Sequence, residues 1–200
     1  FFLNTEDLHY GYWTNGKNAT INNFSRAQED HSQLILNNIP KRIKSILDVG
    51  SGSGNLALKL CKTGYKTDCV IPSQFLADQV HIKLGDQSKI HICNFEQLST
   101  DKLYDVILFS ESFQYIKMRE SLKKITEMLN PRGYLIICDF FQRDISSKSP
   151  MGGGHNWNVF QNLIGNLSFT QILDLDISEE TAPTIDLLYQ FSQDVLTPAF

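Results

Sequence analysis

The stretch ILDVGSGSGNLALKL, from Ile46 to Leu60, constrains the fold more than any other part of the chain. An apolar, strand-sized run meets an aspartate, breaks into glycines at 50, 52 and 54, and resumes with helical spacing. Glycines so placed let another group approach the backbone closely, and the N-terminus of the following helix attracts polar or anionic groups. The turn therefore asks for a ligand, and the rest of the chain narrows which one.

The same rhythm repeats downstream. SILDVG, YKTDCVI, KIHICNF, YDVILFS and YLIICDF read as strands, with helices NLALKLCKTG, SQFLADQVHIKLG and RESLKKITEMLN among them. Ser73 is placed to cap one helix, Gly64 and Gly85 to stop two, and PRG to close another. The strands are almost continuously apolar, as a sheet covered on both faces requires. The expected class is α/β, a doubly wound, mainly parallel sheet with helices on both faces. Upstream, a helix is expected from about Phe24 to Ile39, capped by Ser25 and closed by Pro40. Beyond Phe140 the rhythm changes. FQRDISSKSPMGGGHNW is polar, Gly-rich and too long for a tight turn, which suggests a lid or binding loop. NVFQNLIGNL then reads as a helix, FTQILDLDI as a sixth strand and PTIDLLYQFSQDVL as an amphipathic helix.

Composition excludes some partners. The 200 residues carry a net charge of -4 with a pI of about 5.7, against a broad nucleic-acid surface. The longest apolar runs are strand-sized, so no membrane span is expected, and no signal peptide is visible. Cys61, Cys69, Cys93 and Cys138 lie in apolar contexts without a CxxC pair, which suits reduced core thiols and a cytoplasmic setting.

Three ligand classes compete for the glycine turn. A phosphate-binding P-loop needs Lys followed by Ser or Thr after its last glycine, and Asn55-Leu56 stands there. A dinucleotide fingerprint wants an acidic residue at the end of the second strand, where CVIPS has none. The third class fits better. LDVGSGSG resembles the first motif of class I S-adenosylmethionine-dependent methyltransferases, an aspartate two residues ahead of G-x-G-x-G. YDVILFSESFQYI resembles that family's fourth strand and loop, and LNPRGYLIICDF its turn into strand five. LHYGYW and DISEETAPTIDLL resemble segments of the small-molecule group related to tocopherol, sterol and cyclopropane-fatty-acid enzymes.

The resemblance implies a Rossmann-like methyltransferase domain over residues 1–200. Its parts would be an N-terminal aromatic segment and helix (1–40), a cofactor-binding core (41–140), a lid (141–168), and strand six with a substrate-side helix (169–200). The family adds an antiparallel seventh strand. None is apparent before Phe200, so truncation or loss of that strand is expected. S-adenosylmethionine would contact Tyr12, Trp13, Asp48, Gly50, Ser51, Gly52, Ile71, Pro72, Ser73, Asn94, Phe95 and Ser110. Asp48 would orient the loop or reach the cofactor ammonium through water, and Asn94 would accept from the adenine amine. The family's ribose-binding carboxylate aligns with Ile71, while Asp68 lies mid-strand and is a poor substitute. The rings of Tyr12 and Trp13 would close over the sulfonium; a plain hydrophobic clamp is the other reading.

On the acceptor side the candidate catalytic residues are His155, Glu111 and Tyr115, with His9 as a further histidine equally suited to a structural role. Phe141, Met151, Trp157, Phe160, Leu187, Leu188, Tyr189 and Phe191 supply apolar surface, so the expected partner is a small apolar or amphipathic molecule. SESFQY replaces the N/D-P-P-Y/F pattern of nucleic-acid amino methylation. No metal is called for, and the oligomeric state is open. Two alternatives stand beside methyl transfer: a non-catalytic ligand- or partner-binding descendant of the fold, and a nicotinamide-dependent oxidoreductase.

Overall fold

The computed structural model describes residues 5–14, 19–143 and 154–196. Contacts divide the chain into two units, Pro40–Thr170 and the combination of Phe1–Ile39 with Gln171–Phe200.

The Pro40–Thr170 unit holds five parallel strands: β1 (Ser45–Val49), β2 (Lys66–Val70), β3 (Ile90–His91), β4 (Tyr104–Ser110) and β5 (Leu129–Cys138). Their order is β3-β2-β1-β4-β5, so the winding reverses between β1 and β4. In open α/β sheets the ligand crevice lies outside the carboxyl ends of the strands at such a reversal. Helices α2 (Asn55–Lys62), α3 (Gln74–Leu84) and α4 (Met118–Met128) connect the strands. Side chains alternate between two faces, as a period of two dictates. Leu47, Val49, Ile107 and Phe109 enter one cluster with Leu122 and Ile125 of α4. Cys69 and Ile71 enter another with Ala57 of α2 and Val80 and Leu84 of α3. Each fully buried side chain of this kind contributes roughly 1.5–3 kcal/mol of transfer free energy.

The strand limits differ from the sequence reading in two places. β3 pairs over Ile90–His91 only, because Asn94 starts a short 3-10 turn at Phe95–Gln97. β5 starts early, at Leu129, and the PRG stretch forms a bulge within it. Tyr104 pairs with Leu129 but Val106 pairs with Tyr134. Asp105 stabilises that detour by accepting from Asn130 Nδ2 at 2.7 Å and from the backbone N–H groups of Lys44 and Ser45 at 2.9 and 3.0 Å. After β5, a short parallel ladder joins β6 (Phe141–Gln142) to β7 (His155–Asn156) and leads into α5 (Trp157–Gly165). Asn156 caps α5 by accepting from Val159 N. Most of the expected lid, residues 144–153 with Met151, lies outside the described residues.

The second unit contains α1 (Ile21–Asn37) and α6 (Ser178–Leu196). The α1 cap is Thr20, not Ser25: Asn23 Oδ1 accepts from both the N–H and the hydroxyl of Thr20. α6 starts before Pro183 because Asp176 Oδ1 accepts from Ser178 N and Oγ. The expected sixth strand is not formed. Residues 171–177 pair with no strand among the described residues, and Ile172, Leu173 and Leu175 are exposed. A strand needs a neighbour for its backbone groups, and apolar alternation alone does not provide one.

Candidate active site

The site is built where the carboxyl ends of β1 and β4 meet the loops that follow them. Gly50, Gly52 and Gly54 all adopt positive φ, at 76°, 54° and 82°, a conformation that costs other residues about 1–2 kcal/mol. The turn is tied down from several sides. Gly50 N donates to Val70 O of β2 at 2.8 Å, and Gly54 N to Ser51 O at 2.8 Å. A Cβ on Gly50 would overlap Ser112, whose hydroxyl donates to Val49 O at 2.5 Å. A Cβ on Gly54 would lie 2.7 Å from Val80 Cγ2. Lys83 Nζ spans from α3 to Ser53 O and Asn55 Oδ1 at 2.8 and 2.7 Å. The glycines are thus demanded first by loop packing; Gly52 has the positive φ of its neighbours.

Asp48 is 1% exposed at the end of β1. Its register partners are Cys69 of β2 and Leu108 of β4. Its Oδ2 has no hydrogen-bond partner among the described residues. Burial pushes the carboxyl up to about 7, against the lowering pull of the Ser51 hydroxyl. The Ser51 hydroxyl also donates to the Asp48 carbonyl at 2.9 Å. Ser110 Oγ, at the end of β4, is likewise buried without a partner among the described residues. A buried oxygen left unsatisfied costs about 1–3 kcal/mol, so these two atoms fit a site completed by a polar or cationic ligand.

Other expected contacts are placed differently. Ile71 is 1% exposed, with its side chain inside the α2–α3 cluster and its N–H on His91 O at 2.9 Å. The ribose contact expected there therefore has no side chain to make it, because burial commits the isoleucine to the core. Asp68 is no substitute: it accepts from Tyr104 OH at 2.8 Å, Lys102 Nζ at 2.7 Å and Lys89 N at 3.2 Å. Burial raises the Asp68 carboxyl, but those donors hold it below the usual carboxylate range. Pro72 is exposed, and Ser73 Oγ caps α3 by accepting from Leu76 N at 3.4 Å. Asn94 is exposed, while Phe95 is buried edge-on against Phe109 and offers no side chain. Trp13 is buried within its own unit, stacked on Phe24, with Nε1 donating to Thr184 Oγ1 at 2.8 Å. These contacts hold the indole inside that unit. Tyr12 is half-buried and its N–H bonds to Ala27 O at 2.8 Å. His9 stacks on His31 with centroids 4.7 Å apart, a structural place within the same unit.

On the acceptor side, Glu111 follows β4 at φ 52°, an uncommon conformation for a non-glycine residue, with its N–H on Cys138 O at 2.8 Å. Tyr115 is 80% exposed. His155 lies on β7 with Nε2 2.9 Å from the Phe113 carbonyl and its ring edge-on to Phe113. Phe113, Phe141, Trp157 and Phe160 pack against one another, with centroid separations of 4.9–6.2 Å. Sequence reasoning missed Asp139. It follows β5 and accepts from the N–H groups of Gln114 and Phe140 at 3.1 and 2.7 Å. Burial raises its carboxyl, against those N–H groups, that of Phe113 and the nearby His155. In the sequence it stands as one polar residue after an apolar run, a signal too weak to single out.

Comparison with known proteins places this arrangement among relatives. Residues 22–176 match the model of a family described as a methyltransferase domain. A malonyl-acyl-carrier protein O-methyltransferase of Priestia megaterium is 30% identical over 120 residues, which cover 58% of this chain and 43% of that protein. The chain spans about half the length of the first curated relatives it matches. Among solved structures, the cyclopropane synthase MmaA2 of Mycobacterium tuberculosis superposes with a TM-score of 0.79 at 14% identity, over 94% of this chain and 75% of its own. The cyclase SpnF superposes with a TM-score of 0.77 at 17% identity, over 94% and 75%.

Proposed function

Because this chain belongs to the methyltransferase domain family, we propose that it transfers a methyl group from S-adenosylmethionine to a small apolar or amphipathic acceptor. The observation that carries this reading is the glycine turn at 50–54 beside a fully buried Asp48 whose Oδ2 lacks a partner among the described residues. A cationic ammonium is a fitting complement to that oxygen. Asp48 and the backbone of Gly50, Ser51 and Gly52 would hold the amino-acid half of the cofactor, and Ser110 would approach from β4. Asn94 would accept from the adenine amine. Ile71 cannot bind ribose through its side chain, so the neighbouring Pro72–Ser73 backbone is the remaining protein partner there.

When bound, S-adenosylmethionine supplies an electrophilic methyl group. The chain's own part is to hold the acceptor in line and to exclude water, and orientation alone can contribute roughly 7–11 kcal/mol. Phe141 and Trp157, both half-buried and next to His155 in the ladder or the chain, supply apolar surface. His155 and Glu111 are the proposed proton acceptors, with Tyr115 the weakest of the three candidates because it is exposed. A cytoplasmic setting belongs to the same proposal. Cys61, Cys69, Cys93 and Cys138 form no disulfide, and among the described residues no helix is long and apolar enough to cross a membrane. The test is an extract screen with methyl-labelled cofactor. Labelled product together with S-adenosylhomocysteine supports the reading, and cofactor binding without product from any extract fraction opposes it.

A second reading has one observation in its favour. The core burial of Ile71 removes the expected carboxylate from the ribose position, as suits a non-catalytic binding protein on this fold. The same extract screen separates the two readings.

A further inference from the structure

We propose that Asp139 is a positioning residue that, through the turn at Phe113–Tyr115, sets His155 as a proton acceptor at Nδ1. The inference rests on the methyltransferase reading. Asp139 stands one residue past β5. Its Oδ2 accepts from Gln114 N at 3.1 Å and its Oδ1 from Phe140 N at 2.7 Å. The backbone N–H of Phe113 adds a third donor. All three are donors, which a carboxylate accepts in bonds roughly twice as strong as neutral ones; burial raises the carboxyl against them. The turn after β4 is thereby anchored to the end of β5.

The anchored turn presents the Phe113 carbonyl to His155 Nε2 at 2.9 Å. A carbonyl can only accept, so Nε2 carries the proton and the neutral ring keeps its lone pair on Nδ1. The ring is further fixed by its edge contact with Phe113, at 5.4 Å and 80°, and by the pairing of His155 with Phe141 across the β6–β7 ladder. When Nδ1 takes a proton the ring becomes an imidazolium. With a hydroxyl acceptor, an N–H bond forms at Nδ1, the O–H bond breaks, and the electron pair stays on the acceptor oxygen.

The proton position is read directly from histidine labelled with heavy nitrogen in the protein without cofactor, with His155→Gln assigning the resonances. The expected spectrum of the wild type shows neutral His155 protonated at Nε2. In Asp139→Asn one oxygen becomes an amide donor and faces an N–H. The single tautomer should be lost, and the Gln114 amide should exchange on the order of tenfold faster. Asp139→Ser, which loses the charge, replaces Asp139→Asn as the variant if the latter does not fold, and should likewise lose the single tautomer. A wild type protonated at Nδ1, or an Asp139 variant with its wild-type tautomer undisturbed by loss of the charge, overturns the inference. Calorimetry with S-adenosylhomocysteine on the same wild-type sample distinguishes the underlying reading. Absent binding defeats methyl transfer, whereas binding with the wrong tautomer defeats only the role given to Asp139.

Discussion

Asp48 ionises at about pH 4 in an unfolded chain, but burial in the fold pushes it up to about 7. Between those values the folded state binds more protons than the unfolded one. Its contribution to stability is full below about pH 4 and is lost as pH rises through about 7, by at most on the order of 4 kcal/mol. Asp48→Asn should flatten that decline in denaturant melts taken across the window; an unchanged slope would assign it to another group. Asp68 works with the opposite sign. Its carboxyl is held low, so its stabilisation is present above the unfolded value of about 4 and fades in more acid solution. Tyr104→Phe removes the Tyr104 OH donor to Asp68 and should cost about 1–3 kcal/mol near neutral pH, with a smaller loss once Asp68 is protonated. Ile71→Asp is the sharpest substitution at this scale. The new carboxyl would sit among Ala57, Cys69, Val80 and Leu84. It should destabilise the protein by roughly 3–5 kcal/mol, as an uncompensated buried charge does. Tighter cofactor binding with unchanged melting would show that position 71 faces ribose after all.

The glycine turn is the element that joins fold to function, and its constraints can be separated. Gly54→Ala meets both a positive φ and Val80. It should cost about 1–3 kcal/mol, and Val80→Ala in the same chain should recover the steric part while leaving the conformational part. Full additivity in melts of the double variant would mean that the two side chains do not meet. At this scale the sequence was most readable where one local signal decided the outcome. β4 runs from Tyr104 to Ser110 as its apolar pattern predicts, and α3 lies between its Ser73 cap and Gly85 as its end signals predict. It was least readable where a partner decided. FTQILDLDI alternates like a strand but has no neighbour among the described residues, and the early start of β5 depends on Asp105, a residue of another strand. Asp139 was invisible for the same reason, since its role arises only when Phe113, Gln114 and Phe140 converge on it. Trp13 shows the converse: a chemically suggestive ring whose partner, Thr184, lies far along the chain.

At the scale of the molecule, the parallel sheet places Asp48, the glycine turn and Ser110 at adjacent strand ends beside the reversal in strand order. The central claim is that this arrangement binds S-adenosylmethionine through the backbone of the turn. Calorimetry with S-adenosylhomocysteine on the wild type and on Gly52→Val tests it most directly, with circular dichroism on both to confirm the fold. Position 52 has φ 54°, which a β-branched residue adopts only with strain. The account predicts saturable binding to the wild type and at least a tenfold loss in a folded Gly52→Val protein. A folded Gly52→Val protein with wild-type affinity, or a wild type that binds neither the cofactor nor its product, would contradict it.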